Sequence, residues 1–457
     1  MLSQSRPRLA WFSPVPPARS GIAGRSAELV VELRAAFDID VFVDEPVARA
    51  TTDPRVRSAH EFVWRHQRQP YDLNVYQIGN SSHHDYAWPY AHRYPGLVVL
   101  HDTHLHHARA AALLRTRRAD EYRAEFAWNH PHHDQDLAEL AVNGFDSRLY
   151  YEWPMVRALA ATARLVAVHG EGAARELREM LDRAETAEAI TSIRLGEGEL
   201  VTSEEERRSR GSVCARGHIP IDAIVFAVIG GLIPEKRISQ ILAAMPGLIA
   251  HVPPAHLLLA GAPVEHYDVR AEIAAHGLAD RVTVTGYLET DADVTAHLAA
   301  CDVSLNLRWP TTRETSGPWL RALAAARPTV ISDLVHLAHV PALDPRTWKP
   351  DGLPVCVSID VLDEDHSLRL AMRRLGTDAA LRARLGCAAR AWWEREHSPA
   401  VMIDDYKRVI AAAIARPAPA VPASLPRHLR DAADERLRRL IAPFGVAAAL
   451  AREGVLR

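Results

Sequence analysis

The chain has 457 residues, of which 48% are hydrophobic and 24% are charged, and its formal net charge is −3. This composition is typical of a globular protein with two or three domains, and the small net charge argues against a nucleic-acid partner. The four cysteines lie too far apart in sequence for a disulfide framework or a zinc motif. Because no long apolar segment occurs near the N-terminus or elsewhere, we expect a cytoplasmic protein without a membrane span.

Short apolar runs alternate with helical stretches through the first half of the chain. A helix is predicted from Gly21 to about Ala36, and another begins near Glu171. Buried strands that alternate with helices indicate a parallel sheet covered on both faces. The predicted strands are Arg8–Phe12, Asp40–Val43, Leu73–Gln77, Leu97–Leu100 and Arg164–Val168.

Residues 196–220 interrupt this alternation with glycines and charged side chains, and we interpret them as an interdomain region. The alternation then resumes and predicts a second sheet. Two such repeats predict an α/β protein with two doubly wound domains that face a cleft, where ligands bind at the carboxyl ends of the strands. The strands predicted for the second sheet are Ile224–Ile229, His256–Ala260, Val282–Thr285, Val303–Leu307 and Thr329–Ser332.

The predicted boundaries divide the chain into four parts. Residues 1–205 and 206–395 form the two domains, and residues 396–416 form a helix that returns towards the first domain. Residues 417–457 begin with a stretch rich in proline and alanine, which predicts an extended linker. Residues 427–443 then have the pattern of an amphipathic helix, either a solvated peripheral helix or a contact between copies in a homo-oligomer.

Two loops of the first half follow predicted strands and carry polar residues. In the first loop, Gly21 at a helix start would let the backbone approach a phosphate, although an ordinary loop is the alternative. The second loop begins with His101 and Asp102 at a strand end, and His104 follows. The histidines leave three interpretations open: a sugar contact by His101, a structural role, or a metal site that would need a third ligand of known geometry.

The loop after the first strand of the second half carries Lys236 behind Gly230 and Gly231. A cation near a predicted helix start is unfavourable unless an anion such as a diphosphate lies between the cation and the helix. The alternative interpretation is a lysine that is simply solvated. Gly261 and the pair Gly286-Tyr287 follow the next two strands. Glycine at these ends could let a nucleotide base lie against the backbone, although a simple turn explains each one equally well.

The loop after Val303–Leu307 combines one acid with a predicted helix N-terminus. Glu314 lies just before a helix that we place from about Pro318, since proline is favoured at a first helical position. Backbone N–H groups and the helix dipole face an anion there. A lone acid beside such a pocket can hold sugar hydroxyls, so the pattern predicts a sugar-phosphate ligand. The small residues between the acid and the helix are Thr315, Ser316 and Gly317.

Taken in order, these motifs resemble family 4 of the glycosyltransferases, which have the GT-B fold, over roughly residues 7–415. The resemblance implies metal-independent transfer of a sugar, of the hexosyl type, from a UDP- or GDP-linked donor with retention of configuration and without a cofactor. The acceptor stays open between a small molecule, a saccharide and a lipid-linked compound. The motifs are Ser20-Gly21-Ile-Ala-Gly, Val75-Tyr-Gln-Ile-Gly-Asn80-Ser, Leu100-His-Asp-Thr-His-Leu-His-His, Gly230-Gly-Leu-Ile-Pro-Glu-Lys236, Val284-Thr-Gly-Tyr, Asp302 with Asn306-Leu-Arg308, and Glu314-Thr-Ser-Gly317.

The resemblance also implies roles for individual residues, with the acceptor in the first domain and the donor in the second. His101 would contact the donor sugar, Lys236 would neutralise the leaving diphosphate, and Glu314 would match the first acid of the paired-glutamate motif of the family. The other donor-binding residues implied are Gly21, Asp102, Gly230, Arg308, Thr315, Ser316 and Gly317. Gly261, Gly286 and Tyr287 would contact the nucleotide, and Asn80 and His104 the acceptor.

Two departures from the family pattern bear on activity. The second glutamate is missing, and Arg321 or Ala322 occupies its place. Members commonly carry an arginine shortly after the strand-end glycine, where this chain has Leu-Ile, and Arg308 or Arg313 could replace that cation. A catalytically silent binding subunit of the same fold is therefore the alternative to an active transferase. A metal-dependent hydrolase built on the histidines is a third interpretation.

Overall fold

In a computed structural model, residues 6–18, 20–145, 149–181, 188–349, 352–430 and 441–453 are described. The chain forms two compact units. The first unit comprises Met1–Val168, Leu177–Ser192 and Tyr406–Arg457, and the second comprises His169–Glu176 and Ile193–Asp405. The predicted boundary at residue 205 thus lies inside the second unit, and the helix Pro399–Ala415 contributes residues to both units.

The first unit contains a parallel sheet of seven strands. These are β1 (Arg8–Phe12), β2 (Asp38–Val43), β3 (Val56–Ser58), β4 (Leu73–Ile78), β5 (Leu97–Leu100), β6 (Leu165–Val168) and β7 (Ile190–Ser192). Their order in the sheet is β3-β2-β1-β4-β5-β6-β7, so the direction of winding reverses between β1 and β4. Strands β4, β5 and β6 are buried along their whole length, as expected for a sheet with both faces covered.

Helices cover this sheet. Five helices are described between β5 and β6, which explains the long interval between two neighbouring strands. The helices of the first unit are Gly21–Leu33, Glu45–Ala50, Phe62–Arg68, Trp88–Arg93, His106–Leu114, Ala119–Asn129, Asp136–Val142, Leu149–Glu152, Arg157–Thr162, Arg427–Arg430 and Ala447–Arg452. Its 3-10 turns are Ala59–Glu61, Ser82–Ala87 and Ala442–Phe444. The helix Glu171–Leu181 contributes residues to both units.

The second unit repeats the same winding. Its strands are β8 (Ile224–Ile229), β9 (Ala255–Ala260), β10 (Val282–Val284), β11 (Val303–Asn306), β12 (Thr329–Ser332), β13 (Ala342–Leu343) and β14 (Cys356–Ile359). All neighbours are parallel in the order β10-β9-β8-β11-β12-β14-β13, with the reversal between β8 and β11. The two doubly wound sheets confirm the predicted α/β fold of the GT-B class.

The helices of the second unit pack on both faces of its sheet. They are Ser203–Arg216, Ile238–His251, Val269–Ala275, Asp291–Ala300, Gly317–Ala324, Glu364–Thr377 and Ala379–Glu396, with 3-10 turns at Pro234–Lys236, Val335–Leu337 and Val361–Asp363. Buried aliphatic side chains of Ile238–His251 and Glu364–Thr377 form one core with β8, β9 and β11. This arrangement fixes the strand ends from which the site loops emerge.

Two local predictions were wrong. Most of the segment 196–220, interpreted as a polar connection, is the helix Ser203–Arg216. Its N-terminus carries a capping box in which the Thr202 hydroxyl accepts the Glu205 N–H and the Glu205 carboxylate accepts the Thr202 N–H. Lys236 does not open the next helix either, because it ends a 3-10 turn and the helix begins at Ile238.

The C-terminal stretch packs on helices of its own unit as far as it is described. Leu425 and Leu429 are buried with Ala158, and the Trp128 indole donates to the Ser424 hydroxyl at 3.3 Å. The predicted amphipathic helix 427–443 is described only at its two ends, since residues 431–440 lie outside the described part of the chain. Its role in a homo-oligomer stays a prediction.

Candidate functional site

The winding reversal between β8 and β11 places two loops side by side at the carboxyl edge of the second sheet. The Trp309 N–H donates to the Glu235 carbonyl at 2.8 Å, and the Arg308 N–H donates to the Ser332 hydroxyl at 3.0 Å. These bonds tie the loop after β11 to the loops after β8 and β12. Ligands of doubly wound sheets bind at this kind of reversal.

One pocket lies at this edge. Its cavity volume is about 30 Å³, and the space reaches about 510 Å³ only when the volume open to solvent is included. Four residues predicted from sequence line it together, namely Lys236, Arg308, Glu314 and Ser316. The other lining residues are Ile229, Leu305, Asn306, Leu307, Thr311, Pro318, Trp319, Ile331, Ser332, Leu334, His336 and Leu337.

Lys236 reaches back across the end of β8. Its Nζ donates to the Ile229 carbonyl at 2.7 Å, and a Cβ at Gly230 would lie 2.9 Å from that Nζ. Burial, together with the nearby Arg308 guanidinium, lowers the pKa of Lys236 to about 7. An anion in the pocket would reverse this effect, because a negative charge favours the ammonium form.

Glu314 is held in the pocket wall rather than solvated in a loop. Its Oε1 lies 2.6 Å from the Arg308 guanidinium, and its Oε2 accepts from the Thr311 hydroxyl and from the N–H and hydroxyl of Thr312. Burial opposes ionisation, but Arg308 and these hydrogen bonds outweigh it and hold the pKa of Glu314 below its usual value. Glu314 is therefore an ionised, oriented acceptor.

The helix N-terminus beside this acid is formed as predicted, one residue earlier than expected. The helix runs over Gly317–Ala324, and the Ser316 hydroxyl caps it by accepting the Trp319 N–H at 3.3 Å. The Thr315 hydroxyl donates to the His169 carbonyl at 2.6 Å, so it supports the loop. Cations on one side and a helix N-terminus on the other can together neutralise a diphosphate.

His336 is a pocket residue that the sequence analysis missed. It lies in the 3-10 turn after β12, is 3% exposed, and its Nδ1 has no hydrogen-bond partner among the described residues. Burial lowers the pKa of His336 to about 4, so the imidazole is neutral. No motif surrounds His336 in the sequence. It lies near Glu314 only because the strands that precede these two residues are neighbours in the sheet.

The place of the missing second glutamate contains no carboxylate. Ala322 is fully buried among core residues, and Arg321 pairs with Glu197 at 2.5 Å and with Asp291 at 3.0 Å. The carboxylate of Glu197 lies next to the helix start, because a Cβ at Gly317 would be 3.5 Å from its Cγ. An acid is thus present at this helix, but it comes from a different segment and is paired.

The predicted nucleotide contacts lie along the same sheet edge. A Cβ at Gly261 would lie 2.1 Å from the Gly230 carbonyl oxygen, so Gly261 permits close contact of two strand ends. Gly286 has a φ of +81°, and Tyr287 beside it is 56% exposed. None of the three is among the residues that line the pocket, and their contact with a nucleotide stays a prediction.

In the first unit, His101 lies at the carboxyl end of β5 as predicted. Its Nε2 is 2.8 Å from the Gln77 amide oxygen, and the buried Tyr406 hydroxyl donates to the same oxygen at 3.3 Å. Gln77 and Tyr406 therefore orient the imidazole. Sequence reasoning could not find this network, because Tyr406 lies 329 residues from Gln77.

The other predicted residues of the first unit are engaged in its own structure. Asp102 accepts the Asn80 N–H at 2.9 Å, and the Asn80 amide oxygen accepts the Ala108 N–H at 2.9 Å. His104 is 2% exposed. Gly21 is the first residue of a helix capped by Ser20, with open space where a Cβ would lie. Their roles towards donor and acceptor stay predictions.

The histidine tracts are distributed among separate contacts. His84 lies 2.9 Å from the Gln77 carbonyl, His92 lies 3.1 Å from the Thr162 hydroxyl, and His106 lies 2.7 Å from the Tyr122 hydroxyl. Within the described ranges, no three histidine, cysteine or acidic side chains are grouped so that they could hold a metal ion. Within the same ranges, no helix combines the length and the apolar character needed to cross a membrane.

A family of known proteins matches part of the second unit. Residues 223–344 match the family model described as Glycosyl transferases group 1. The match spans β8 to β13 and contains the pocket residues from Ile229 to Leu337. The resemblance to glycosyltransferases is thus confirmed for this segment of the second unit and for the fold. Membership of family 4 itself stays a prediction. No curated protein gives a significant match to the chain.

Solved structures share the fold at low sequence identity. Sucrose-phosphate synthase from Thermosynechococcus elongatus is 17% identical with a TM-score of 0.59, covering 89% of this chain and 100% of that one. Anabaena HepE in complex with UDP and glucose is 14% identical with a TM-score of 0.56, covering 89% and 100%. A glycosyltransferase from Rickettsia africae is 10% identical with a TM-score of 0.60, covering 90% and 99%.

Proposed function

We propose that the chain is a retaining glycosyltransferase that takes a nucleotide diphosphate sugar as donor. The observation that carries the proposal is the pocket at the winding reversal, where Lys236, Arg308, Glu314 and the Ser316-capped helix meet. Two cations and a helix N-terminus suit the negative charge that collects on a leaving diphosphate. The oriented carboxylate of Glu314 suits the hydroxyls of the sugar attached to it.

In this proposal, the pocket acts mainly through electrostatic stabilisation. As the bond from the anomeric carbon to the diphosphate oxygen lengthens, Lys236 and the helix N–H groups stabilise the departing oxygens and the sugar becomes cationic. The acceptor hydroxyl attacks from the face that the diphosphate leaves, and a diphosphate oxygen takes its proton. The anomeric configuration of the donor is then retained, and the charge balance requires no divalent ion.

The test is nucleotide release from a panel of donors. Purified protein is incubated with UDP-, GDP-, ADP- and dTDP-sugars and a mixture of candidate acceptors, with and without EDTA. We expect release of one nucleoside diphosphate, insensitivity to EDTA, and an α-linked product from an α-linked donor. A β-linked product would contradict retention of the anomeric configuration. A rate restored only by added metal would contradict the proposal that the charge balance requires no divalent ion.

The second candidate is a catalytically silent binding subunit of the same fold. It is favoured by Ala322 and Arg321, because the helix Gly317–Ala324 itself supplies no second carboxylate and the nearby Glu197 is paired with Arg321. A thermal-shift series with nucleoside diphosphates separates the two candidates when it is combined with the release assay. A ligand at 100 times its dissociation constant should add about 2.7 kcal/mol of stability. Stabilisation without release from any donor would favour the silent subunit.

A further inference from the structure

A single residue connects the turn that carries Lys236 to the helix behind it. Arg237 follows Lys236 directly, and its N–H donates to the Pro234 carbonyl at 2.9 Å, which closes the 3-10 turn. The Arg237 carbonyl accepts the Ile241 N–H at 3.0 Å in the first turn of the helix Ile238–His251. The backbone angles of Arg237 therefore decide how Lys236 lies relative to that helix.

Arg237 has a left-handed backbone conformation. Its φ is +60° and its ψ is +32°. This region is unfavourable for a residue with a long side chain, because the Cβ atom crowds the neighbouring carbonyl oxygen. Such a conformation persists only where the surrounding structure holds it, and it is concentrated at functional sites. Contacts of the Arg237 side chain must therefore compensate for the unfavourable backbone.

A bidentate ion pair with Glu364 supplies that compensation. The Arg237 Nε lies 2.8 Å and 3.1 Å from the two carboxylate oxygens of Glu364, and Nη2 lies 2.5 Å from Oε2. The two side chains are 22% and 9% exposed, so water competes little for the paired groups. Glu364 is also the first residue of the helix Glu364–Thr377, where the helix dipole favours an acid.

The carboxylate of Glu364 is itself held in a fixed place. The helices Ile238–His251 and Glu364–Thr377 pack through buried aliphatic side chains in one core of the second unit, with Ile241 and Leu368 among them. A packed core of this kind does not deform easily. The ion pair therefore ties the left-handed turn at Arg237 to a rigid pair of helices.

Lys236 is the residue that gains from this arrangement. Its Nζ donates to the Ile229 carbonyl at 2.7 Å and it lines the pocket, whereas neither Arg237 nor Glu364 is among the lining residues. The pair thus acts on a bound ligand through Lys236. If the turn at Arg237 changed its backbone angles, the amine would leave the end of β8 and become solvated.

We propose that the Arg237–Glu364 ion pair positions Lys236, by holding the left-handed turn that keeps its amine across the end of β8. Arg237 and Glu364 are then positioning residues for the pocket and do not touch the ligand. The placement of the amine does not depend on the transferase activity. Only its consequence for binding a diphosphate rests on the proposed function.

The test is carbon-13 NMR of the lysine side chains in the full chain. The sequence contains three lysines, Lys236, Lys349 and Lys407, so labelled Cε atoms give three signals, and Lys236→Arg identifies the first. The Lys236 signal of the parent protein should titrate near pH 7, because burial lowers its pKa to about 7. In Glu364→Ala the midpoint should rise by about one pH unit or more, since a solvated amine returns towards its usual, higher pKa.

A second substitution tests whether the pair acts through the backbone of Arg237. Arg237→Gly in the Glu364→Ala background removes the unfavourable conformation, because glycine adopts a positive φ as readily as a negative one. The double variant should bring the Lys236 midpoint back towards pH 7. An unchanged midpoint in Glu364→Ala would overturn the inference, and so would a double variant whose midpoint is displaced as far as in the single variant.

Arg210→Gln is the matched control for a general loss of stability. The Arg210 guanidinium pairs with Asp302 at 2.8 Å in the same unit, the two side chains are 19% and 26% exposed, and neither is among the residues that line the pocket. The Lys236 midpoint should stay in place in this variant. A rise as large as in Glu364→Ala would show a general loosening of the unit and would contradict the positioning role.

Each variant must keep the packed fold, because lysines of an unfolded chain also have their usual pKa. Near-UV circular dichroism checks this point. If Glu364→Ala does not fold, Glu364→Gln takes its place, since it keeps the shape of the side chain and removes the charge. The same rise of the Lys236 midpoint is expected, and its absence would overturn the inference.

Binding of inorganic pyrophosphate separates this inference from the proposed function. Calorimetry should show binding about tenfold weaker in Glu364→Ala than in the parent protein, the equivalent of one charge-assisted hydrogen bond, with recovery in the double variant. A parent protein that binds no pyrophosphate, but whose Lys236 midpoint moves as expected among the variants, would count against the proposed function and support the positioning role.

Discussion

The Arg308 guanidinium and the Glu314 carboxylate pair at 2.6 Å in the wall of the pocket that Lys236 also lines. Of the two arginines predicted as replacements for the family's cation after the strand-end glycine, Arg308 lines the pocket and Arg313 does not, so we propose Arg308 for that role. The residue at that earlier position, Leu232, is fully buried in the core and offers no charge. A diphosphate in the pocket would compete with Glu314 for the same guanidinium.

Replacing Arg308 with glutamine should weaken binding of the preferred nucleoside diphosphate by about tenfold to 100-fold, because a charge-assisted hydrogen bond is lost. Titration calorimetry measures the affinity. Arg313→Gln is the matched control, since the Arg313 guanidinium pairs with Glu176 at 2.8 Å and does not line the pocket. Equal losses in the two variants would contradict the assignment of Arg308.

Lys236 predicts a proton uptake on ligand binding. With its pKa lowered to about 7, the amine is mostly neutral in the free protein at about pH 8, and a bound diphosphate should restore its charge. Calorimetry at about pH 8 in two buffers of different ionisation enthalpy should therefore show uptake approaching one proton. Lys236→Arg should bind the nucleotide without this uptake, because a guanidinium stays charged.

The same lowered pKa affects the stability of the free protein. The unfolded chain binds more protons at this lysine between about pH 7 and pH 10.5, so the contribution of Lys236 to the free energy of unfolding rises with pH across that window. Lys236→Met should remove this rise. If the parent protein and the Lys236→Met variant have parallel stability curves over this pH window, the amine is not buried in its neutral state.

Glu314→Gln keeps the shape of the side chain and removes its charge. Turnover should fall steeply, while nucleotide affinity should hold or increase because Arg308 is released towards the diphosphate. The free energy of unfolding should fall by about 1–3 kcal/mol, since the partly buried Arg308 guanidinium loses its partner. Glu176→Gln provides the control, because it removes the carboxylate paired with Arg313 outside the pocket lining. Equal turnover in the two variants would assign Glu314 a structural role only.

The packing of the C-terminal stretch on the first unit is testable through Leu425. This side chain is 1% exposed against Ala158, so Leu425→Ala should lower the free energy of unfolding by about 2–4 kcal/mol. Phe444 is 76% exposed, and Phe444→Ala should change stability by less than about 0.5 kcal/mol. Chemical denaturation measures both. A neutral Leu425→Ala would mean that the stretch does not stay docked in solution.

Strands with continuous apolar sequence could be predicted closely. Three strands begin and end where expected, namely Ile224–Ile229, Leu97–Leu100 and Thr329–Ser332. A strand covered on both faces does not alternate between polar and apolar residues, so its ends are easier to locate in the sequence. The two edge strands of the first sheet gave no such pattern, and Val56–Ser58 and Ile190–Ser192 were missed. The helix Ser203–Arg216 was missed because charged residues occupy nearly all of its first turns, and its cap alone indicates the start.

The grouping of Lys236 and Glu314 in one pocket was predicted better than the contacts that hold them there. Lys236 and Glu314 follow strands, and parallel strands bring their carboxyl ends to one edge, so proximity followed from the order of elements. The Arg308–Glu314 pair and the contribution of His336 depend on side-chain directions within loops, which no periodicity encodes. The same limit explains why Gln77 and Tyr406, which orient His101, were found only in three dimensions.

The contact between Gly261 and the Gly230 carbonyl has a consequence for changing the selectivity of this protein by directed evolution. A Cβ at Gly261 would lie 2.1 Å from that oxygen, and a Cβ at Gly230 would lie 2.9 Å from Nζ of Lys236. A side chain at Gly230 would thus displace the lysine directly, and one at Gly261 would do so through the Gly230 carbonyl. A mutant library for new donors should keep both glycines fixed and place its diversity at Thr311, Asn306 and His336, where side chains line the pocket without bearing on that backbone contact.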